Sequence, residues 1–152
     1  MIKRIINKSK AVFTKALNNG ISEHNFAAAC AFGIYIAFFP LPGTHLLLVG
    51  LAQWIFRLNI PIVVLVSCIN NPWTMIPFFT ADYYVGYWLI HDLLGYNPSW
   101  TFSLTDIFGS GSICVWSFFV GGNLLGIVGA LLMYPIALTI FKRIKQQNNP
   151  TL

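Results

Sequence analysis

The sequence predicts an all-α integral membrane protein, and three observations support that fold class. The chain is 57% apolar and only 9% charged, whereas a soluble domain carries about 25% charged residues. Basic residues crowd both ends, and Arg57 is the only Lys or Arg between Lys15 and Lys142. Prolines break two apolar stretches, at 40–45 and at 70–77. This charge pattern excludes a basic face for nucleic acid, and the positive-inside rule predicts a multi-pass protein with both termini cytoplasmic.

Three segments follow from the charge and hydropathy pattern. In residues 1–20, apolar side chains recur at helical spacing with lysines on the opposite side, which predicts a basic amphipathic helix lying on an anionic membrane surface. Packing of that helix under a partner protein is the alternative. Residues 22–145 are expected to form a single membrane domain that begins at an N-cap on Ser22. Residues 146–152 form a polar tail.

The first broken stretch predicts a helical hairpin. Residues 26–39 are uncharged and lead into Pro40, Pro42 and Gly43, after which residues 44–56 return. A limb of about 16 residues reaches about 24 Å, whereas a bilayer core is about 30 Å thick. Two short limbs around a Pro-Gly turn favour a re-entrant hairpin that enters and leaves on the cytoplasmic side. A single kinked span is the alternative.

The second broken stretch combines helix breakers with a carboxylate. Asn70, Asn71 and Pro72 interrupt one apolar run, and Asp82 lies inside the next. Burying a carboxylate in a membrane costs about 2.5–3.5 kcal/mol on insertion scales, so Asp82 is expected to face water or a partner such as Arg57. Simple solvation near the interface is the alternative. The residues expected to form structural turns in the two stretches are Pro40, Pro42, Gly43, Pro61, Pro72 and Pro77.

The last third of the chain predicts a C-terminal transmembrane helix. The loop over 92–106 lacks Lys and Arg, which predicts an external position, and 107–141 is uncharged. Four glycines provide a small face of the kind that lets helices approach closely, either within the chain or in self-association. They are Gly121, Gly122, Gly126 and Gly129.

No arrangement of residues typical of catalysis is present. The sequence lacks the spaced motifs of metalloproteases, nucleotide-binding loops and serine hydrolases. Its three cysteines lie in apolar runs without C-x-x-C spacing, which argues against a metal site. We therefore expect no enzyme activity, no metal and no cofactor.

Several motifs in order resemble one known family. Gly33, the turn at 40–45, the Arg-Leu-Asn-Ile-Pro run at 57–61 and the Asn-Asn-Pro-Trp-Thr run at 70–74 look like the prokaryotic domain of unknown function 2062 family. The resemblance covers roughly residues 22–143. It implies a small protein of the bacterial inner membrane.

Two positions depart from the pattern of that family. Leu46 stands where threonine is common, and Asp82 lies in a segment that is usually aromatic or small. Some relatives resemble domains attached to glycosyltransferases, which implies envelope glycolipid or polyprenyl-phosphate chemistry.

The sequence places a candidate substrate site where the two broken stretches meet. There the fork of Arg57 is expected to bind a phosphate, together with backbone amides at the Asn70–Asn71 break. The leading hypothesis is transport or handling of a lipid or a phosphate-bearing envelope substrate. The alternative is a non-catalytic accessory subunit for a membrane-associated glycosyltransferase. Expected partners are membrane lipids, a glycosyltransferase or a second copy. The candidate binding residues are Thr44, His45, Arg57, Asn70, Asn71, Thr74 and Asp82.

Overall fold

The computed structural model describes residues 21–41, 43–95, 101–103 and 112–148, and these are mostly helical. The helices are α1 (Glu23–Phe38), α2 (His45–Phe56), α3 (Ile60–Ser67), α4 (Met75–Tyr87), which continues as a π-helix (Trp88–Leu93), and α5 (Val115–Asn148). A short antiparallel pair joins β1 (Thr101–Ser103) to β2 (Ser112–Cys114). The amphipathic helix predicted over 1–20 and the predicted turn residue Pro42 lie outside the described residues.

Local side-chain chemistry explains where α1 begins and ends. The Ser22 hydroxyl oxygen accepts a hydrogen bond from the Asn25 N–H at 3.1 Å, as an N-cap residue does, and Glu23 lies in the first turn. At the other end Phe39 is extended, since the residue before a proline disfavours the helical conformation and Pro40 follows.

The chain from α1 to α2 forms a helical hairpin. Gly43 turns the backbone with φ +88°, a conformation that few residues other than glycine adopt. At the far end of α2, the Asn25 side-chain amide donates a hydrogen bond to the Arg57 carbonyl at 3.0 Å. Helix α2 therefore ends beside the start of α1, which is the geometry of a hairpin and not that of a single kinked helix.

The second break interrupts a segment that keeps its direction. The backbone of Gly33 in α1 lies against Val63 and Val66 of α3, and the Asn70 amide reaches the Ala37 carbonyl. Helix α3 thus runs parallel to α1. Beyond the break, Phe78 in α4 packs against Phe38 near the end of α1, with ring centroids 4.7 Å apart, and α4 continues past it. Together α3 and α4 form one broken helical segment.

Helix α5 runs antiparallel to the other long elements and holds them together. Phe141 packs against Phe26 near the start of α1, whereas Gly122 lies against the Phe38 carbonyl near its end. The predicted role of the glycines in helix contact is observed inside the chain, because α1 covers Gly122, Gly126 and Gly129 while α4 covers Gly121. The face that the sequence offered for self-association is therefore already occupied by α1 and α4.

Among the residues that the structure describes, one helix is long and apolar enough to span a membrane. The candidate span covers Val115–Gln146, with a mean hydropathy of 2.3 in its most apolar window. These 32 residues rise about 48 Å, more than the roughly 30 Å of a hydrocarbon core. A core helix of a soluble protein is mostly buried, whereas only 17% of that window is buried here. The exposed apolar surface of α5 is consistent with membrane association.

The close contact between α4 and α5 gives a testable prediction. A β-carbon added at Gly121 would overlap the Asp82 carbonyl oxygen, which belongs to a helix backbone and has no room to move aside. We expect Gly121→Ala to lower the free energy of unfolding by about 1–3 kcal/mol, as overpacking does. Thermal unfolding in detergent measures this. Gly50→Ala in α2 is the control because its β-carbon meets nothing within 4 Å, and equal stability of the two variants would contradict the contact.

Candidate functional site

A polar cavity of about 500 Å³ lies where α1 begins, α2 ends and α3 begins. We call it the Arg57 cavity, because Arg57 is the one charged side chain among the described residues that line it. Neutral hydrogen-bonding side chains surround Arg57 in this cavity. They are Ser22, Asn25, Gln53 and Asn59.

The backbone around Arg57 is held in an unusual conformation. Arg57 ends α2 with φ 51°, in the left-handed region that non-glycine residues seldom adopt. Its N–H bonds to the Gln53 carbonyl at 3.1 Å, and its carbonyl accepts from Asn25. These bonds fix the point from which the exposed guanidinium side chain extends.

An apolar groove of about 490 Å³ adjoins the Arg57 cavity, since Leu58 lines both. It lies between α1, the end of α2 and α5. Small residues on α1 and α5 leave the space, and larger apolar side chains form its walls. The groove extends along α1 from Ala28 to Tyr35, a distance of about 10 Å. The lining of the groove also includes Ala31, Phe32, Phe56, Ile127 and Leu131.

A third space of about 370 Å³, the break cavity, lies between the two broken stretches. It brings together three of the predicted binding residues, His45, Asn70 and Asn71. The turn at Gly43 and the start of α4 at Met75 also line it.

The polar side chains at the breaks are engaged by the local backbone. The Asn70 amide donates to the Ala37 carbonyl at 2.6 Å, near the end of α1. The Asn71 side-chain oxygen accepts from the N–H groups of Trp73 and Thr74 at 2.9 and 3.2 Å. The backbone N–H groups of the two asparagines are bonded as well, that of Asn70 to the Ser67 carbonyl at 3.1 Å and that of Asn71 to the Thr74 hydroxyl oxygen at 2.9 Å. The amides that the sequence offered to a phosphate therefore already have partners.

Two further predicted binding residues have backbone partners as well. The Thr74 hydroxyl donates to the Ile69 carbonyl at 2.6 Å, and the Thr44 hydroxyl donates to the Leu41 carbonyl at 2.7 Å. Both hydroxyls therefore stabilise turns.

The structure does not bring Arg57 together with Asn70 and Asn71. Arg57 precedes α3 and the two asparagines follow it, and the eight residues of α3 rise about 12 Å. The hairpin returns Arg57 to the start of α1, whereas Asn70 contacts the last turn of α1. The sequence predicts one anion site made of Arg57 and the second break. The structure instead places these two parts at opposite ends of α3.

Asp82 belongs to neither place. Its side chain is fully buried, and its carboxyl oxygens have no hydrogen-bond partner among the described residues. Arg57, the partner expected for it, does not bond to it. It lies on α4 where this helix crosses Gly121 of α5, and it lines none of the three cavities.

The predicted turn residues divide into two groups. Pro40, Gly43 and Pro72 lie in turns. Pro61 and Pro77 lie instead in the first turns of α3 and α4. Proline is tolerated there because the N–H groups of a first turn have no acceptor within the helix.

Sequence reasoning missed most of the lining of the Arg57 cavity and the groove. The sequence predicts Ser22 as a helix cap, but it predicts neither Ser22 nor Gln53 as a neighbour of Arg57. The useful signal was the spacing of Ala28 and Ala31, which places two small residues on one face of α1.

The described part of the chain is mostly helical, and it has one helix able to span a membrane and a polar cavity that adjoins an apolar groove at the end where Arg57, Lys142 and Lys145 lie. The chain belongs to a bacterial family described as "Uncharacterized protein conserved in bacteria (DUF2062)", which matches residues 8–149. No curated protein and no solved structure matches the chain.

The hydrogen bonds at the second break predict that Asn71 is structural. Asn71→Ala removes the acceptor for two backbone N–H groups at the start of α4, so we expect a loss of about 0.5–2 kcal/mol in the free energy of unfolding. Asn59→Ala is the matched control, because Asn59 precedes α3 but makes no side-chain cap bond. Chemical unfolding in detergent compares the two variants, and an Asn71→Ala protein as stable as the control would refute the capping role.

Proposed function

We propose that the protein binds a phosphate-bearing lipid of the bacterial envelope, as part of its transport or handling. The headgroup occupies the Arg57 cavity and a hydrocarbon tail lies in the apolar groove. One observation supports this assignment above the others. The Arg57 cavity, with one cation among the described residues that line it, and the groove lined by apolar side chains adjoin at Leu58, and this pairing of surfaces matches the two ends of a lipid.

The chemistry of the Arg57 cavity suits a phosphate. The planar guanidinium of Arg57 can donate two parallel hydrogen bonds to phosphate oxygens. The Ser22 oxygen accepts from a backbone N–H, and its hydroxyl proton is left to donate outward. The amides of Gln53 and Asn59 add donors at the same wall.

The charges near the Arg57 cavity favour an anion at this end of the molecule. Glu23, the nearest carboxylate along α1, pairs with Lys145 at 3.2 Å and approaches Lys142 at 4.0 Å. Since these lysines offset the carboxylate, the charge of Arg57 is not opposed by Glu23.

The apolar groove suits a hydrocarbon tail. Phe32, Phe56 and Leu131 form its walls, while the alanines keep it open. Each CH₂ group moved out of water gains about 0.8 kcal/mol, but a tail already in a bilayer gains little by entering a groove. The groove therefore orients the lipid, and the Arg57 cavity provides the affinity and selectivity for its headgroup.

We further propose that the protein crosses the bacterial inner membrane more than once, with both termini cytoplasmic. The broken segment of α3 and α4 runs antiparallel to α5, as a second crossing would. Arg57, Lys142 and Lys145 all lie near the start of α1, so the positive-inside rule puts this end in the cytoplasm. The Arg57 cavity would then lie at the level of the cytoplasmic lipid headgroups.

Arg57 variants test the headgroup half of the proposal. We expect Arg57→Gln to reduce retention of phosphatidylglycerol about tenfold, since a charge-assisted hydrogen bond contributes about 1.5–3 kcal/mol. Arg57→Lys keeps the charge without the fork and should give an intermediate loss. Native mass spectrometry of protein released from phosphatidylglycerol nanodiscs measures the bound lipid. Arg143→Gln is the control, because this exposed arginine lies on α5 beside Lys142, at the same end of the molecule, but lines neither space.

A groove variant tests the tail half of the proposal in the same measurement. Ala31→Phe leaves every charge in place but fills the groove, so we expect it also to lower lipid retention. If Arg57→Gln and wild type retain phosphatidylglycerol equally, Arg57 merely marks the membrane surface and the lipid site is refuted. The role of a non-catalytic accessory subunit for a glycosyltransferase would then become the leading proposal.

A further inference from the structure

The tightest contact among the described helices surrounds a buried carboxyl group. Helices α4 and α5 cross at Gly86 and Gly121, and a β-carbon at either glycine would overlap backbone of the opposite helix. The overlaps are reciprocal, since Gly121 faces the Asp82 carbonyl and Gly86 faces the Ser117 carbonyl. Asp82 therefore lies within one helical turn of the point where the two backbones touch.

Asp82 is buried at a junction of three elements. Gly122, the neighbour of Gly121 on α5, lies against the Phe38 carbonyl and Pro40 at the end of α1. The α4 backbone at Asp82 and the α1 backbone at Phe38 thus flank two consecutive glycines. The Asp82 side chain has 0% exposure, and neither carboxyl oxygen has a hydrogen-bond partner in the described part of the chain.

No Lys or Arg lies on α4, on α1 or on the part of α5 that precedes Lys142. Helix α5 carries no Asp, Glu, Lys, Arg or His before Lys142. The charged or imidazole side chains of α1 are Glu23 and His24, at the end of α1 opposite to Phe38. The remaining titratable side chains on these elements and the π-helix that follows α4 are Cys30, Tyr35, Tyr83, Tyr84, Tyr87, His91, Asp92 and Tyr134.

We propose that Asp82 is the binding site for a small monovalent cation, a proton or Na⁺. An ionised carboxylate without a partner is strongly disfavoured in an apolar interior, and a bound cation removes that penalty. The Asp82 carboxyl group belongs to the helical turn at which the backbones of α4 and α5 touch. Oxygen atoms are the ligands that hard cations prefer, and the close contact favours the smallest ones.

The cation site does not depend on the lipid site. Asp82 lines neither the Arg57 cavity nor the apolar groove. Lipid binding near the start of α1 and cation binding at the crossing of α4 and α5 use different parts of the same helical assembly.

Thermal unfolding of the purified full chain in detergent tests the cation site. We expect acidification, or Na⁺ replacing choline at constant pH and ionic strength, to raise the apparent Tm of the wild type by about 5–10 °C. Asp82→Asn keeps the shape without the charge and should remove the response. A response to acid alone identifies the proton, and a response to Na⁺ at fixed pH identifies sodium. Asp92→Asn is the control because Asp92 is exposed, and it should respond as the wild type does.

Two outcomes would overturn the proposal. The first is a wild-type Tm that changes with neither pH nor Na⁺. This result needs no variant, so it would overturn the proposal even if Asp82→Asn failed to fold. An Asp82→Asn protein that responds as strongly as the wild type would also do so. Phosphatidylglycerol retention by Asp82→Asn should equal that of the wild type, which separates failure of this site from failure of the lipid site.

Discussion

Direct contact between helix backbones along α5 is the constraint on which the remaining structure depends. Glycines on this helix let the backbones of α1 and α4 approach at Gly122 and Gly121, where any side chain would hold them apart. Apolar surface gives helices little reason to associate inside a membrane, so close packing of this kind matters more there. Because α5 holds α1 in place, the hairpin that follows α1 can return beside Asn25, and Arg57 comes to lie between three helices.

The distribution of polar side chains separates structural from functional roles. At the breaks, Asn70, Asn71 and Thr74 satisfy backbone groups that the prolines and turns would leave unpaired, a requirement that is severe where water is absent. That use leaves the second break little capacity for a ligand. Arg57 and Asp82 are different, because one extends into an open cavity and the other is buried without a partner. The proposed functions therefore rest on these two residues.

Much of the fold followed from local signals, but the site did not. The Ser22 cap, the turn at Gly43 and the small face of α5 could be predicted, since each depends on the conformation or size of single residues. The separation of Arg57 from Asn70 depends on how α3 packs along α1, and sequence spacing says nothing about that. The groove and the burial of Asp82 could not be predicted for the same reason. The walls of the groove come from three helices, and Asp82 is buried where two helices cross.

The central claim is that one lipid occupies the Arg57 cavity and the apolar groove together. Photo-crosslinking with phosphatidylglycerol that carries a diazirine in its tail, followed by mass spectrometry, tests this most directly. We expect the crosslinks to concentrate on the groove residues Ala31, Ile127 and Leu131. We expect these crosslinks to be lost in Arg57→Gln. The exposed apolar residues of α2 provide the comparison, for example Leu46 and Trp54, which are 83% and 80% exposed. Crosslinks that spread equally over these residues and do not change in Arg57→Gln would contradict the lipid site.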